Sequence, residues 1–259
     1  MNKNPIFLVL SVLVVTVMGG SLFFGCSSAP QNTVKNGNSA PVAAATTAKP
    51  QQTIPANAPP GAEPPEQMGS PTAAVTLEEF ADFQCPQCAA QHPNMNEIKS
   101  IYGSRIHFIY RNFPLKIAAH DKSYEASLAA SAAGMQGKFW DQNMLFSNQK
   151  AWTSDPSYKQ IWKGYAQKIG LDVAKWETDA AGMGAKNRVE ADIARGTAAG
   201  INSTPTLFIN GLIVPFSDMK VDTLKQLIDA ELEKVKGGQN PAAANKEAAP
   251  AAKSENTNK

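Results

Sequence analysis

Between Gly69 and Lys236 the apolar positions change their period several times, and each change marks an element. "AAVTLEEFADF" ends in a short apolar strand, and "RIHFIYRNF" from Arg105 is β-branched and aromatic, the composition of a second strand. The segment between them predicts a helix starting at Pro86, with Ala89, Met95, Ile98 and Ile101 on its inward side. Strand, helix, strand over this length implies a parallel pair joined by a right-handed crossover.

A helical region follows. "DKSYEASLAASAAG" is Ala-rich and ends at Gly134, and "KFWDQNMLFSNQ" places Phe139, Trp140, Met144 and Leu145 at helical spacing. In "SDPSYKQIWKGYAQKIG", Asp155 reads as the N-cap, Pro156 as the first helical residue and Gly170 as the stop. "DVAKWETDAAG" and "AKNRVEADIARGTAAG" predict two more helices. The strand signal then returns in "TPTLFINGLIVP", where Asn210-Gly211 is the favoured dipeptide of a tight hairpin turn. A last helix sets Val221, Leu224, Leu227, Ile228 and Leu232 on one face and stops at Gly237-Gly238.

The flanks have a different composition. Residues 27–68 are mostly Pro, Ala, Thr, Gln and Asn, which predicts a flexible, partly extended linker too poor in apolar surface to fold. The tail, 237–259, reads the same way. Residues 1–26 combine Lys3, an uncharged apolar run from Ile6 to Met18 and a small-residue stretch, the make-up of an export signal. The stretch resembles a bacterial lipoprotein signal, in which Cys26, preceded by Gly25, becomes the lipidated first residue. Phe23 and Phe24 depart from that pattern, and an uncleaved membrane anchor is the alternative. Either version places the rest of the chain outside the cytoplasm, tied to a membrane through its N-terminus. With 259 residues, 43% hydrophobic, a formal charge of +2 and no basic stripe, the chain has no footprint for nucleic acid.

Of three cysteines, Cys26 belongs to the signal and Cys85 and Cys88 form a pair in "DFQCPQCAAQHP". A zinc site needs four ligands, and this chain adds only His92, His107 and His120 to one Cys pair, so no metal is expected. Haem attachment needs His directly after Cys88, where Ala89 stands. A disulfide across two residues closes too short a loop to stabilise the fold much. The remaining reading is a working dithiol. With Pro86 at the first helical position, Cys85 becomes the N-cap, facing the N–H groups of Gln87 and Cys88 and the positive end of the helix. Both effects favour a thiolate, so Cys85 is expected to be the exposed nucleophile and Cys88, one turn deeper, the resolving thiol.

"GSPTAAVTLEEFADFQCPQC", "YRNFPL", "GKFWDQNMLF" and "GINSTPTLFINGLIV" together resemble the DsbA-like branch of the thioredoxin superfamily, in order and separation, across 69–236. The resemblance implies a thioredoxin-like α/β fold: a central mixed β-sheet flanked by helices, with a helical insertion at about 117–200. It implies a redox-active disulfide between Cys85 and Cys88, and a cis peptide bond at Thr204-Pro205 in a loop that binds substrate backbone. It also assigns Glu79 as an interior acid that takes the proton of Cys88; on residue type alone, Glu79 is equally a solvated or paired strand-end charge. Strong oxidants of this family usually carry Pro-His between the cysteines, whereas this chain has Pro-Gln, which implies a milder oxidant.

The activity so implied is thiol–disulfide exchange on exported proteins that contain cysteines. No bound cofactor is required, because the dithiol carries the two electrons, and a membrane redox partner resets it. Reductase or isomerase chemistry on the same fold remains open at this stage, as does a thioredoxin-like module that binds extended proteins without redox turnover.

Overall fold

The structure, a computed structural model, describes residues 51–237. In chain order the regular elements are β1 (Glu66–Gly69), β2 (Thr76–Ala81), α1 (Pro86–Tyr102), β3 (His107–Asn112), α2 (Ser123–Gly134), α3 (Asn143–Ser147), α4 (Gln149–Thr153), α5 (Tyr158–Lys168), α6 (Val173–Ala181), α7 (Met183–Ala198), β4 (Thr206–Ile209), β5 (Leu212–Val214) and α8 (Val221–Lys236). The strands form one mixed sheet in the order β1-β3-β2-β4-β5. β2 and β3 run parallel, Thr76 beside His107 and Ala81 beside Asn112, with α1 as the crossover. β4 lies antiparallel to β2 on the other side, and α2 to α7 are inserted between β3 and β4. This is the thioredoxin-like sheet with a helical insertion that the resemblance implied.

Alternation along β2 sorts its side chains. Leu77 and Ala81 enter the larger core with Cys88, Met95, Ile98, Phe108 and Leu207, while Phe80 enters a second cluster with Phe113 and Phe208. The period of two therefore places Glu79 on the face that carries the cysteines and Glu78 on the opposite one. Along α1 the buried row is Cys88, Gln91, Met95, Ile98 and Tyr102, recurring every three or four residues. Ile101 falls one position off that row and is 39% exposed, so the inward residue at this end is Tyr102 instead.

Two boundaries differ from the sequence reading. "KFWDQNMLFSNQ" is not one helix but a 3₁₀ turn at Phe139–Gln142 followed by α3 and the start of α4. α5 begins at Tyr158 rather than Pro156, because the Asp155 carboxylate accepts the Ser157 N–H at 2.6 Å and closes a local turn first. The hairpin is as expected: Asn210 (φ 48°) and Gly211 (φ 79°) both take the left-handed conformation its two-residue turn requires.

The linker expectation is corrected over residues 51–68, which belong to the fold. Thr53 bridges Leu212 at the free edge of β5, and Glu66–Gly69 pairs antiparallel with β3. The stretch between is Pro-rich, so few of its carbonyls have a neighbouring N–H to satisfy them, and arginine side chains supply the donors. Arg195 Nη1 donates to Pro59 O at 2.9 Å, Arg111 donates to Pro60 O at 2.8 Å and Ala62 O at 3.1 Å, and Arg188 Nη2 donates to Pro64 O at 2.8 Å. Side-chain guanidinium groups, not apolar content, hold this strap, and composition therefore missed it. The signal at 1–26 with Cys26, the linker's first part at 27–50 and the tail from 238 onward lie outside the described residues.

Candidate active site

The two cysteines sit where β2 runs into α1 through a turn that is hydrogen-bonded throughout. Asp82 is fully buried, and its Oδ1 accepts the Gln84 N–H at 2.7 Å while its carbonyl accepts the Cys85 N–H at 3.1 Å. Cys85 is extended (φ −70°, ψ 121°) and caps the helix, with Pro86 at its first position. Both sulfurs are free thiols. Cys88 Sγ accepts the Asp82 N–H at 3.5 Å, and Cys85 Sγ donates to Thr204 O at 3.4 Å.

Cys85 is not the exposed residue that the sequence predicts: it is 5% exposed, against 1% for Cys88. The loop that carries Thr204 closes over the helix start and removes it from water. Even so, the surroundings pull the Cys85 thiol down to about 5. The Cys88 thiol, donating to it, is the largest cause; burial opposes, and Thr204 and the N–H groups of Cys88 and Gln87 add to the lowering. Those two N–H groups act without closing a capping hydrogen bond on the sulfur. Cys88 goes the other way. Burial raises it well above the ordinary thiol range, and its hydrogen bond to Cys85 and the charge there raise it further. One thiol ionises readily and its neighbour holds its proton.

The Thr204–Pro205 peptide bond is cis. The Thr204 hydroxyl is buried without a hydrogen-bond partner, yet lies close enough to both sulfurs to favour their ionised forms.

Glu79 occupies the sheet face behind Cys88 and is 6% exposed, so it is not a solvated strand-end charge. Burial pushes its carboxyl up to about 7, with the Lys99 ammonium pulling against the rise. Lys99 reaches in from α1, over the rings of Phe108 (5.0 Å) and Trp140 (4.6 Å), and its own pKa is lowered by burial. A cavity of about 20 Å³ lies among Glu79, Lys99, His92 and Tyr110, walled by Phe83, Phe139, Trp140 and Phe146. His92 stacks on Phe146 with ring centroids 4.9 Å apart, and burial brings its pKa to about 4.

The model of the family described as Thioredoxin matches residues 62–230, most of this chain. The chain belongs to the thioredoxin family. Its match begins before Gly69, in keeping with the strap being part of the fold. Among solved structures, oxidised BdbD from Bacillus subtilis superposes with a TM-score of 0.59 at 21% identity, covering 68% of this chain and 97% of that one. The Wolbachia pipientis alpha-DsbA1 structure gives 0.56 at 19% identity, covering 67% and 94%. These carry the same fold. In sequence, the Na(+)/H(+) antiporter NhaA 1 of Mycolicibacterium gilvum is 34% identical over 146 residues, which is 55% of this chain and 23% of the antiporter. The chain thus spans less than a quarter of the length of the curated relatives it matches.

In this thioredoxin-family site the structure brings Cys85, Cys88, Thr204 and Pro205 around one helix start, with Glu79 on the same sheet face beside Lys99. Sequence reasoning missed four of their neighbours. Lys99 lies on the partly buried side of α1, where an amphipathic pattern reads as solvated. Tyr110 reads as an ordinary strand aromatic, yet its buried hydroxyl has no partner. His120 donates from Nδ1 to Asp82 Oδ2 at 2.6 Å, joined on that carboxylate by Ser123 Oγ at 2.5 Å and the Leu115 N–H at 2.9 Å. Gln149, in the insertion, reaches back to the cysteine turn. Among the described residues no group of three or more His, Cys, Asp or Glu is placed to hold a metal ion.

Proposed function

We propose that this thioredoxin-family, DsbA-like thiol–disulfide oxidoreductase oxidises cysteines of exported proteins, with Cys85 as nucleophile and Cys88 as resolving thiol. The single observation that carries the assignment is the opposed acidity of the pair, one thiol pulled down to about 5 and its neighbour pushed up, at a helix start beside a cis-proline loop.

In the oxidising direction a substrate thiolate attacks Cys85 Sγ. The Cys85–Cys88 S–S bond breaks, and Cys88 leaves with the electron pair and takes up a proton. A second substrate thiolate attacks the mixed disulfide, the bond to Cys85 breaks, and Cys85 departs as a thiolate. Two electrons pass from substrate to protein. Cys85 is the better leaving group because its thiolate is the more stable, and that stability also makes the disulfide oxidising. Glu79, with its carboxyl near 7, is poised to give Cys88 a proton or take one back. The extended substrate chain lies along Thr204 and Pro205. A membrane-bound acceptor of two electrons then regenerates the disulfide. The N-terminal segment, lipidated at Cys26 or retained as an anchor, ties the domain to a membrane on its extracytoplasmic side.

Replacing Cys88 with Ser tests the assignment. The Cys85 thiolate of the variant should attack a disulfide of an exported protein, release that protein's second sulfur as a thiolate and accumulate as a mixed disulfide that dithiothreitol releases. Association that dithiothreitol leaves intact would show a binding module instead.

A further inference from the structure

The backbone of the cysteine turn is held from the helical insertion as well as from its own strand. Gln149, in α4 and buried, uses its side-chain amide on two carbonyls of that turn: Nε2 donates to Phe83 O at 2.8 Å and to Cys85 O at 2.9 Å. An amide nitrogen has two hydrogens to give, and both are spent here. The Cys85 carbonyl also accepts the Ala89 N–H at 3.1 Å, the first bond of the α1 ladder, so Gln149 bonds the oxygen on which the helix starts. Phe83, the first of the two held residues, packs its ring against Phe146 of α3 with centroids 4.7 Å apart. On the outer side Gln84 makes a matching pair of contacts to the insertion, donating to Asp121 Oδ1 at 3.0 Å and accepting the Lys122 N–H at 2.8 Å.

We propose that Gln149 is a positioning residue for the nucleophile: by holding the carbonyls of Phe83 and Cys85 it keeps the turn in the geometry that stabilises the Cys85 thiolate. Two physical effects act together. A carbonyl oxygen carries partial negative charge, and two of them beside a thiolate disfavour it unless donors draw that charge away. The same bonds fix the peptide planes between Asp82 and Cys85, and with them the aim of the Gln87 and Cys88 N–H groups at the sulfur. The insertion thereby sets the reactivity of a cysteine in the thioredoxin core. This rests on the functional reading above, since it concerns how acidic Cys85 must be for that chemistry.

Gln149→Met removes both donors at nearly constant shape. The thiolate absorbance of reduced Cys85 should then titrate about one unit higher than in the unmodified protein, and the equilibrium with glutathione should shift about tenfold toward the protein disulfide. Gln149→Glu, which turns a carboxylate toward the two carbonyls, should shift both further and serves if the Met variant does not fold. A lowered melting temperature with titration and glutathione equilibrium unchanged in either folded variant would overturn the proposal, leaving Gln149 a structural tie. An unmodified protein whose Cys85 titrates like free cysteine would overturn the functional reading, and this inference with it.

Discussion

Cys85 Sγ meets the carbonyl of Thr204 at 3.4 Å, joining two residues 119 positions apart in the chain. The contact puts Cys85 against the loop that ends in Pro205, so on the proposed reading a substrate chain laid along that loop would arrive at the sulfur. The same loop lies over a sulfur that is only 5% exposed.

The acidity of Cys85 can be read directly. Its folded value near 5 lies below the ordinary thiol value of 9.0, so the thiolate persists through neutral pH and is lost as pH falls through about 5. Thiolate absorbance at 240 nm should show a transition near pH 5 from one sulfur, absent in Cys85→Ser. Alkylation by iodoacetamide should hold its rate from pH 8 down to about 6 and fall below that. A single transition above pH 8 would contradict the assignment of Cys85 as nucleophile.

Glu79 supplies the opposite sign. Burial raises its carboxyl from 4.5 to about 7, so the folded state holds a proton that the unfolded chain releases. Stability from this group is complete below about pH 4.5 and is lost as pH rises through 7. The full shift corresponds to about 3 kcal/mol at most. In urea unfolding, Glu79→Gln should match the unmodified protein at pH 4 and be more stable than it at pH 8, by up to that amount. The same variant should slow resolution of a Cys85 mixed disulfide by about a hundredfold at neutral pH, the ordinary worth of a placed acid or base. A variant more stable at pH 8 but equally fast would keep the burial and remove the proton-transfer role.

Much of this site was legible because its signals are local. A Cys-Pro-x-Cys at a strand-to-helix junction fixes the N-cap geometry, whereas Glu79 and the cis bond before Pro205 were legible only through the family resemblance. What stayed hidden depends on distant residues. Nothing near Gln149 in sequence indicates two carbonyls more than sixty residues earlier, and Lys99 reads as a surface lysine until Phe108 and Trp140 are seen beneath it. The strap at 51–65 escaped notice because its carbonyl partners are arginines from β3 and α7, which no hydrophobic pattern reports.

The residue between Pro86 and Cys88 is open to direct test. Gln87 offers the sulfur a backbone N–H, and its side chain adds no charge. Gln87→His would place imidazolium beside the thiolate and stabilise the reduced form. The glutathione equilibrium should move about tenfold or more toward the reduced protein, about 30 mV in potential for a two-electron couple. An unchanged equilibrium would show that the helix start and Cys88 already determine the acidity of Cys85.

The strap gives the last test, far from the sulfurs. Arg111 is 3% exposed and bonds two carboxylates at once, Glu78 at 2.7 Å through Nε and Asp192 at 3.1 Å through Nη1. Its remaining donors hold Pro60 and Ala62, and Asp192 in turn accepts the Ala62 N–H at 2.9 Å. Removing this guanidinium leaves two buried carboxylates short of a countercharge; Arg195 still compensates Glu78, at 2.6 Å, whereas Asp192 loses its ion-pair partner. Arg111→Met should therefore cost about 3–5 kcal/mol in urea unfolding, the usual penalty for breaking a buried pair from one side. Combining it with Asp192→Asn removes the stranded charge and should recover part of the loss. Equal losses in the single and double variants would mean that the strap's carbonyl contacts, rather than the uncompensated carboxylate, account for the effect.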